Sequence, residues 1–401
     1  MQTPFRSSFV FRPTVATSAF IFSTALVATA LFWAPFIGAA ELPANLPAPS
    51  TFADASDSHA GKIDPYVARF GRSRPVVAII GENSGTELVD FVIPYGVLAQ
   101  SGAAEIVTVA TKPGVLTMRP ALKIQPHATT GQFDARFPEG ADYVIVPAVV
   151  KHDDPALLAW VAEQGAKGGT VVSICDGALV VANSGLMKGH RATAHWATQD
   201  YRKEKYPDTQ WLRNVRYVAD GKIVSSAGIS AAIPTSLALV EAIAGYEKAA
   251  ALAMELGVAE WRTQHNSEVF VPQFGVNLTA FLVKNITNGL FHATQSIGVP
   301  VASGVDDIAL ALTADAYSRT GRSQAYALSA SNEPLLTRHG LTLLPDRVLG
   351  GASPVDRILL ELAATSSART LDKVLADIAD SYGRSTAYGV AMDFEYPGYR
   401  K

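Results

Sequence analysis

The densest chemical signal in the 401-residue chain surrounds its one cysteine, Cys175. Thr170–Ile174 (TVVSI) is mostly β-branched and runs straight into Cys175-Asp176-Gly177, after which Ala178–Ala182 opens a helix. A side chain at such a strand-to-helix turn is pushed out at the carboxyl edge of a parallel sheet, where open α/β folds bind ligands. The free N–H groups and dipole of the following helix favour a thiolate over a thiol. Gly177 relieves crowding at the turn, and nearby amides offer an oxyanion site. The spacing therefore predicts an exposed, electrostatically activated cysteine. A lone cysteine forms no intramolecular disulfide, so the other reading is an inert core thiol.

A parallel sheet must carry this turn, and the flanking pattern supplies one. Pro75–Ile80 (PVVAII) reads as a buried strand ended by glycine. Leu88, Phe91, Val92, Tyr95 and Leu98 follow at helical spacing, closed by Gly102. Ile106–Ala110 and Asp142–Val146 are further strands, and Pro155–Gly165 is a helix. Asp220-Gly221 marks a hairpin, and Ile233–Ile243 and Glu247–Leu256 are two closing helices. Strands alternating with helices imply an α/β fold, a mostly parallel sheet flanked by helices on both faces. His152-Asp153-Asp154 follows one strand, but Pro155 makes a helix start the natural reading, and no metal site is expected.

The run S-I-C-D-G-A-(x)8-G-(x)3-G-(x)2-A-T-A-H-W, with V-A-D-G-K-I-V-S-S-A-G-I at Val218–Ile229, resembles the ThiJ/PfpI (DJ-1/PfpI) family of the class I glutamine amidotransferase-like superfamily. It is most similar to the amidase-like domain of AraC-type regulators, and the resemblance covers about residues 75–260. It implies a flavodoxin-like sheet, Cys175 as nucleophile, His195 as its nearby partner and Asp90, in the D-F-V-I-P segment, as a carboxyl group against the sulfur. A cysteine with a histidine in reach is the minimal activated nucleophile, and a carboxyl group beside a thiolate has its pKa raised towards a general acid's. Many members have P-G-G where this chain reads Pro147-Ala148-Val149-Val150, so Ala148 and Val149 are expected to reshape the oxyanion pocket. Asp176 stands where a small neutral residue is common and is read as a helix cap.

Outside this stretch three features stand out. Arg6 and Arg12 precede an uncharged run from Thr14 to Ala40, read as a cleaved signal peptide or an N-terminal membrane anchor over residues 1–40. Both readings place the protein outside the cytoplasm, in the periplasm. Residues 41–74 read as a linker and 75–262 as the domain with the cysteine turn. In residues 263–401, Gly304–Gly321 echoes Gly85–Gly102, Ala327–Leu344 echoes Val107–Ile124, and Thr386–Pro397 echoes Ala249–Trp261. This predicts a second, truncated α/β copy lacking the cysteine, with Ala309 at the position of Asp90. No DNA-binding tail is evident there.

A formal charge of −3, without a basic stripe, argues against nucleic acid as a partner. No cofactor is required, and no nucleotide-binding glycine pattern is present. The expected function is a cysteine-dependent hydrolase or lyase acting on a small amide, nitrile or carbonyl compound. The alternative is a metabolite-binding or redox-sensing module, with a peptidase ranked last. Family members often dimerise, so a homo-oligomer is a possible state.

Overall fold

A computed structural model describes residues 61–360 and 366–399. The first half is built from β1 (Val76–Gly81), α1 (Leu88–Ser101), β2 (Glu105–Ala110), β3 (Leu116–Arg119), β4 (Lys123–Gln125), β5 (Ala128–Thr129), α2 (Thr130–Arg136), β6 (Tyr143–Val146), α3 (Pro155–Ala166), β7 (Thr170–Ser173), α4 (Gly177–Asn183), β8 (Tyr217–Asp220), β9 (Ile223–Ser226), α5 (Ala232–Ala244) and α6 (Tyr246–Leu256). Seven strands form one sheet in the order β8-β9-β7-β6-β1-β2-β5. All its pairs are parallel except the β8–β9 hairpin.

Every residue of β1, β6 and β7 is buried, as continuous apolar runs covered on both faces require. On one face Val77, Ile79 and Ile145 join a core shared with α1, α5 and α6; on the other Ala78, Ile80, Val144 and Val171 pack against α3 and α4. The fold is therefore the mostly parallel α/β sheet, covered by helices on both faces, that the alternation of elements predicts, and its order agrees with the flavodoxin-like sheet that the resemblance implies.

The second half contains β10 (Gln295–Pro300), α7 (Asp307–Ser318), β11 (Ser323–Ser329), β12 (Leu335–Leu336), β13 (Thr342–Leu343), β14 (Arg347–Val348), β15 (Arg357–Ile358), α8 (Thr370–Tyr382) and α9 (Arg384–Asp393). Its own sheet runs β14-β11-β10-β15, all parallel. A third sheet joins the halves: β12-β13 continues through antiparallel pairing of β13 with β4 into β3 and Thr86–Glu87. Side chains from both halves fill one continuous core, including Leu88, Phe91, Ile308, Leu312, Leu375 and Phe394. Each fully buried large apolar side chain contributes about 1.5–3 kcal/mol.

Two expectations are corrected. The anchored, extracytoplasmic location rested on residues 1–40, which lie outside the described residues; no described helix is long and apolar enough to cross a membrane. The end of the expected linker, residues 61–74, is tied to the sheet's lower edge. Tyr66 N–H donates to Ala242 O at 2.8 Å, and Arg69 donates to the carbonyls of Gly168 and Lys167. Arg72 pairs with the buried Asp142 at 2.8 Å. Pro and Ser composition suggests a tether; the arginines that anchor it are invisible to composition.

Candidate active site

The β7–α4 turn holds Cys175 at φ +55°, in the left-handed region that a side-chain-bearing residue seldom occupies. The turn is fixed from behind by two features. The Cys175 N–H donates to Ser226 Oγ at 3.1 Å, and Gly177 sits so close to β6 that a Cβ there would lie 1.9 Å from Val146 O. Only glycine fits the third position, so the sulfur's place follows from the backbone.

Cys175 is only 5% exposed, contrary to the expectation of an open nucleophile. Burial pushes its thiol well above the usual range, and the carboxyl groups of Asp90, Asp176 and Glu87 push in the same direction; the Asp176 N–H aimed at the sulfur opposes them weakly. The helix behind the cysteine has barely two turns, and its dipole does not outweigh three carboxyl groups and desolvation. Cavities of about 890 and 420 Å³ lie elsewhere on the molecule and do not include Cys175.

Asp90 occupies the third position of α1 and is fully buried. Its N–H donates to Glu87, whose side chain caps the helix at 2.5 Å, while its Oδ2 accepts from Ala148 N–H at 3.2 Å. Its Oδ1 is buried with no partner among the described residues. Burial pushes the Asp90 carboxyl up to about 8, against the opposing pull of the Ala148 amide and Arg319. Burial likewise raises Glu87, reinforced by Asp90 and Asp315. Glu87 is salt-bridged to Arg319 at 2.8 Å, so the two carboxyl groups differ in their surroundings: one has a guanidinium against it and the other has an oxygen without a partner among the described residues.

His195 lies elsewhere in the network than its expected role demands. Its Nδ1 accepts from Ala197 N–H at 3.1 Å, so Nε2 carries the hydrogen and donates to Asp393 O at 2.9 Å. Both ring nitrogens are thus engaged, neither with Cys175. The expected helix cap at Asp176 is also absent: its carboxylate accepts from Thr198 Oγ1 at 2.6 Å and lies 3.7 Å from Arg202. The Ala148 amide, expected to serve an oxyanion, holds Asp90 instead, and Val149 bridges to Thr86. Asp154, in contrast, starts α3 as Pro155 suggests, accepting from the Ala156 and Leu157 amides.

Sequence reasoning missed the residues that enclose this network. Glu395 is fully buried at φ +49°, accepts from Trp196 N–H, His265 and Ser267, and approaches His195 so closely that a Cβ on Gly228 would lie 2.7 Å from both. Burial opposes its ionisation, but the hydrogen bond from His265, together with His195 and Trp196, holds its carboxyl below the usual range. Glu395, Asp393 and Arg319 all come from the second half, and their bonds to Trp196, His195 and Glu87 each join residues at least 198 apart. No local motif announces such contacts.

The chain matches the DJ-1/PfpI family over residues 76–242. It is 31% identical over 125 residues to the HTH-type transcriptional regulator CdhR of Pseudomonas aeruginosa, covering 31% of this chain and 37% of the regulator. The match therefore spans well under half of that protein's length. It is 28% identical over 176 residues to the isonitrile hydratase of Pseudomonas putida, covering 43% of this chain and 73% of that enzyme. Drosophila melanogaster DJ-1beta superposes with a TM-score of 0.42 at 21% identity, over 46% of this chain and 99% of that one. The strand order, the cysteine turn and the sequence match agree on one conclusion: residues 76–242 form a DJ-1/PfpI family domain.

Proposed function

We propose that this domain adds water to a small electrophilic compound through Cys175, with Asp90 as the acid. The observation that carries this reading is the fully buried Asp90 carboxyl with one oxygen unpartnered among the described residues, which burial pushes up to about 8 and whose charge pushes the thiol up. Glycine-enforced placement of the sulfur at a strained turn supports it. The substrate class is a small C≡N-type compound, a nitrile or an isonitrile, to which net addition of water is possible without a leaving group; similarity to an isonitrile hydratase favours the isonitrile.

In this mechanism sulfur bonds to the electrophilic carbon while Asp90 gives its proton to the substrate atom that gains the electron pair and takes up the thiol's proton in exchange. The oxygen of water then bonds to the same carbon as the carbon–sulfur bond breaks. Asp90 passes its proton to the leaving sulfur and takes one from that water. The net change is addition of one water, and Asp90 ends as it began. His195 acts at a distance in this scheme, bracing the 193–198 segment against the second half.

A second reading, a ligand- or oxidation-sensing module without turnover, is favoured by the burial of Cys175 and the engaged His195. Similarity to a transcriptional regulator points the same way. Turnover assays with small isonitriles, nitriles, amides and α-oxoaldehydes separate the two. Activity lost in Cys175→Ser and reduced in Asp90→Asn supports the enzyme. Activity unchanged in Cys175→Ser sinks the mechanism, and no turnover with measurable ligand binding selects the sensor.

A further inference from the structure

The elements of the second half repeat those of the first in order and pairing. In the first half β1 pairs in parallel with β2 and β6, and β2 with β5; in the second, β10 pairs with β11 and β15, and β11 with β14. Short antiparallel strands, β3–β4 and β12–β13, occupy the same place in each series, and two successive helices close both. The helices after the first strand start alike: the Glu87 side chain accepts from Asp90 N–H, and the Asp306 side chain accepts from Ala309 N–H.

α1 and α7 pack against each other in opposite senses. Gly96 of α1 abuts Ile308 near the start of α7, while Arg319, just past the end of α7, reaches Glu87 at the start of α1. β4 and β13 meet edge to edge in the same pseudo-symmetric manner.

We propose that residues 295–396 are a degenerate second copy serving as a built-in partner of the first half, and that its Arg319 is a positioning residue for the Cys175 site, anchoring Glu87, whose side chain caps the helix start that carries Asp90. This rests on reading Asp90 as the acid beside Cys175. Arg319 is clamped on its own side by Asp315 and on the other by Glu87, with Asp393 also near. Burial works against its charge, but Asp315 and Glu87 more than offset that and hold it protonated. The guanidinium is thus a fixed positive charge at the base of α1. The other groups acting on the thiol are Asp90, Asp176 and Glu87, and Arg202 lies close enough to respond to it. Removing Arg319 leaves the carboxyl groups without this counter-charge, which makes both Asp90 and the thiol harder to ionise.

The test is the pH profile of iodoacetamide labelling at Cys175 in the full chain, read by mass spectrometry alongside Tm. Arg319→Met is expected to move the profile alkaline by about one pH unit, slowing labelling about tenfold below its midpoint. Arg319→Lys restores most of the shift by keeping the charge. Glu87→Gln moves it the other way, because one opposing carboxylate is gone. Should Arg319→Met not fold, Asp315→Asn keeps the side-chain volume and is expected to shift the profile acidic like Glu87→Gln. Variants that lower Tm while the profile stays put, or shifts of Arg319→Met and Glu87→Gln in the same direction, overturn the proposal. Labelling does not depend on turnover, so absence of enzymatic activity leaves this result interpretable on its own.

Discussion

The first turns of α1 and α7 make the same backbone hydrogen bond and carry different chemistry. In each, an acidic side chain at the cap accepts from the amide three residues on. At α1 that residue is Asp90, whose carboxyl accepts from the Ala148 amide; at α7 it is Ala309, and the cap residue Asp306 instead binds Arg338 at 2.6 Å and Ser367 at 2.6 Å. Asp306 has every acceptor satisfied, whereas Asp90 keeps one buried oxygen unpartnered. The comparison separates what a helix needs to start from what a reaction needs. A cap satisfies orphan amides and adds stability; a buried carboxyl with an unused oxygen costs stability and persists where it has chemical work.

The sharpest way to break this contrast is to remove the sulfur. Cys175→Ser is expected to cut any turnover by about 10³-fold or more, measured with the best substrate from the assays above. Equal activity in the two proteins would place the chemistry elsewhere. Exchanging the two third positions comes next. Asp90→Asn is expected to lower kcat by about 10²–10⁴-fold, while Ala309→Asp, which buries a carboxyl without a partner, leaves turnover unchanged and destabilises the chain by about 3 kcal/mol in urea unfolding.

A pH series of Tm sharpens the same point. The folded chain holds the Asp90 proton up to about pH 8, whereas the unfolded chain releases it near ~3.9. The folded state therefore binds the extra proton between those values. The stability linked to that proton is complete below the lower one and is lost as pH rises through the upper one. Asp90→Asn should flatten that decline; an identical slope in both proteins contradicts the raised carboxyl. The smallest effect is expected at the other cap. Asp306→Ala should cost about 1–2 kcal/mol and leave the labelling profile of Cys175 unmoved.

Much of the frame was legible in the residues. Buried apolar runs gave β1, β6 and β7, helical spacing gave α1, and Thr170–Gly177 located the turn, because each depends on local pattern and steric need. The electrostatic state of the site was not legible. A helix start suggests an activated thiol, but burial and the carboxyl groups of Asp90 and Glu87 reverse its sign, and burial is a property of the assembled fold. His195 came from the family resemblance of the A-T-A-H-W segment, yet its ring is held by Asp393, which that segment cannot disclose. Arg319 has a signal only in retrospect. It precedes Gly321 as Gln100 precedes Gly102, a correspondence that becomes informative once the two helices are known to run in opposite senses.

The bond from His195 to Asp393 also has a consequence in time. A ribosome adding about 5–20 residues per second delivers Asp393 about 10–40 s after His195, because 198 residues separate them. Until then the nascent chain carries His195 and Trp196 without Asp393 and Glu395, the groups they bond. The segment behind the cysteine turn therefore gains its brace only after both halves have been made, so a chain stalled between them presents His195 with its Nε2 unbonded.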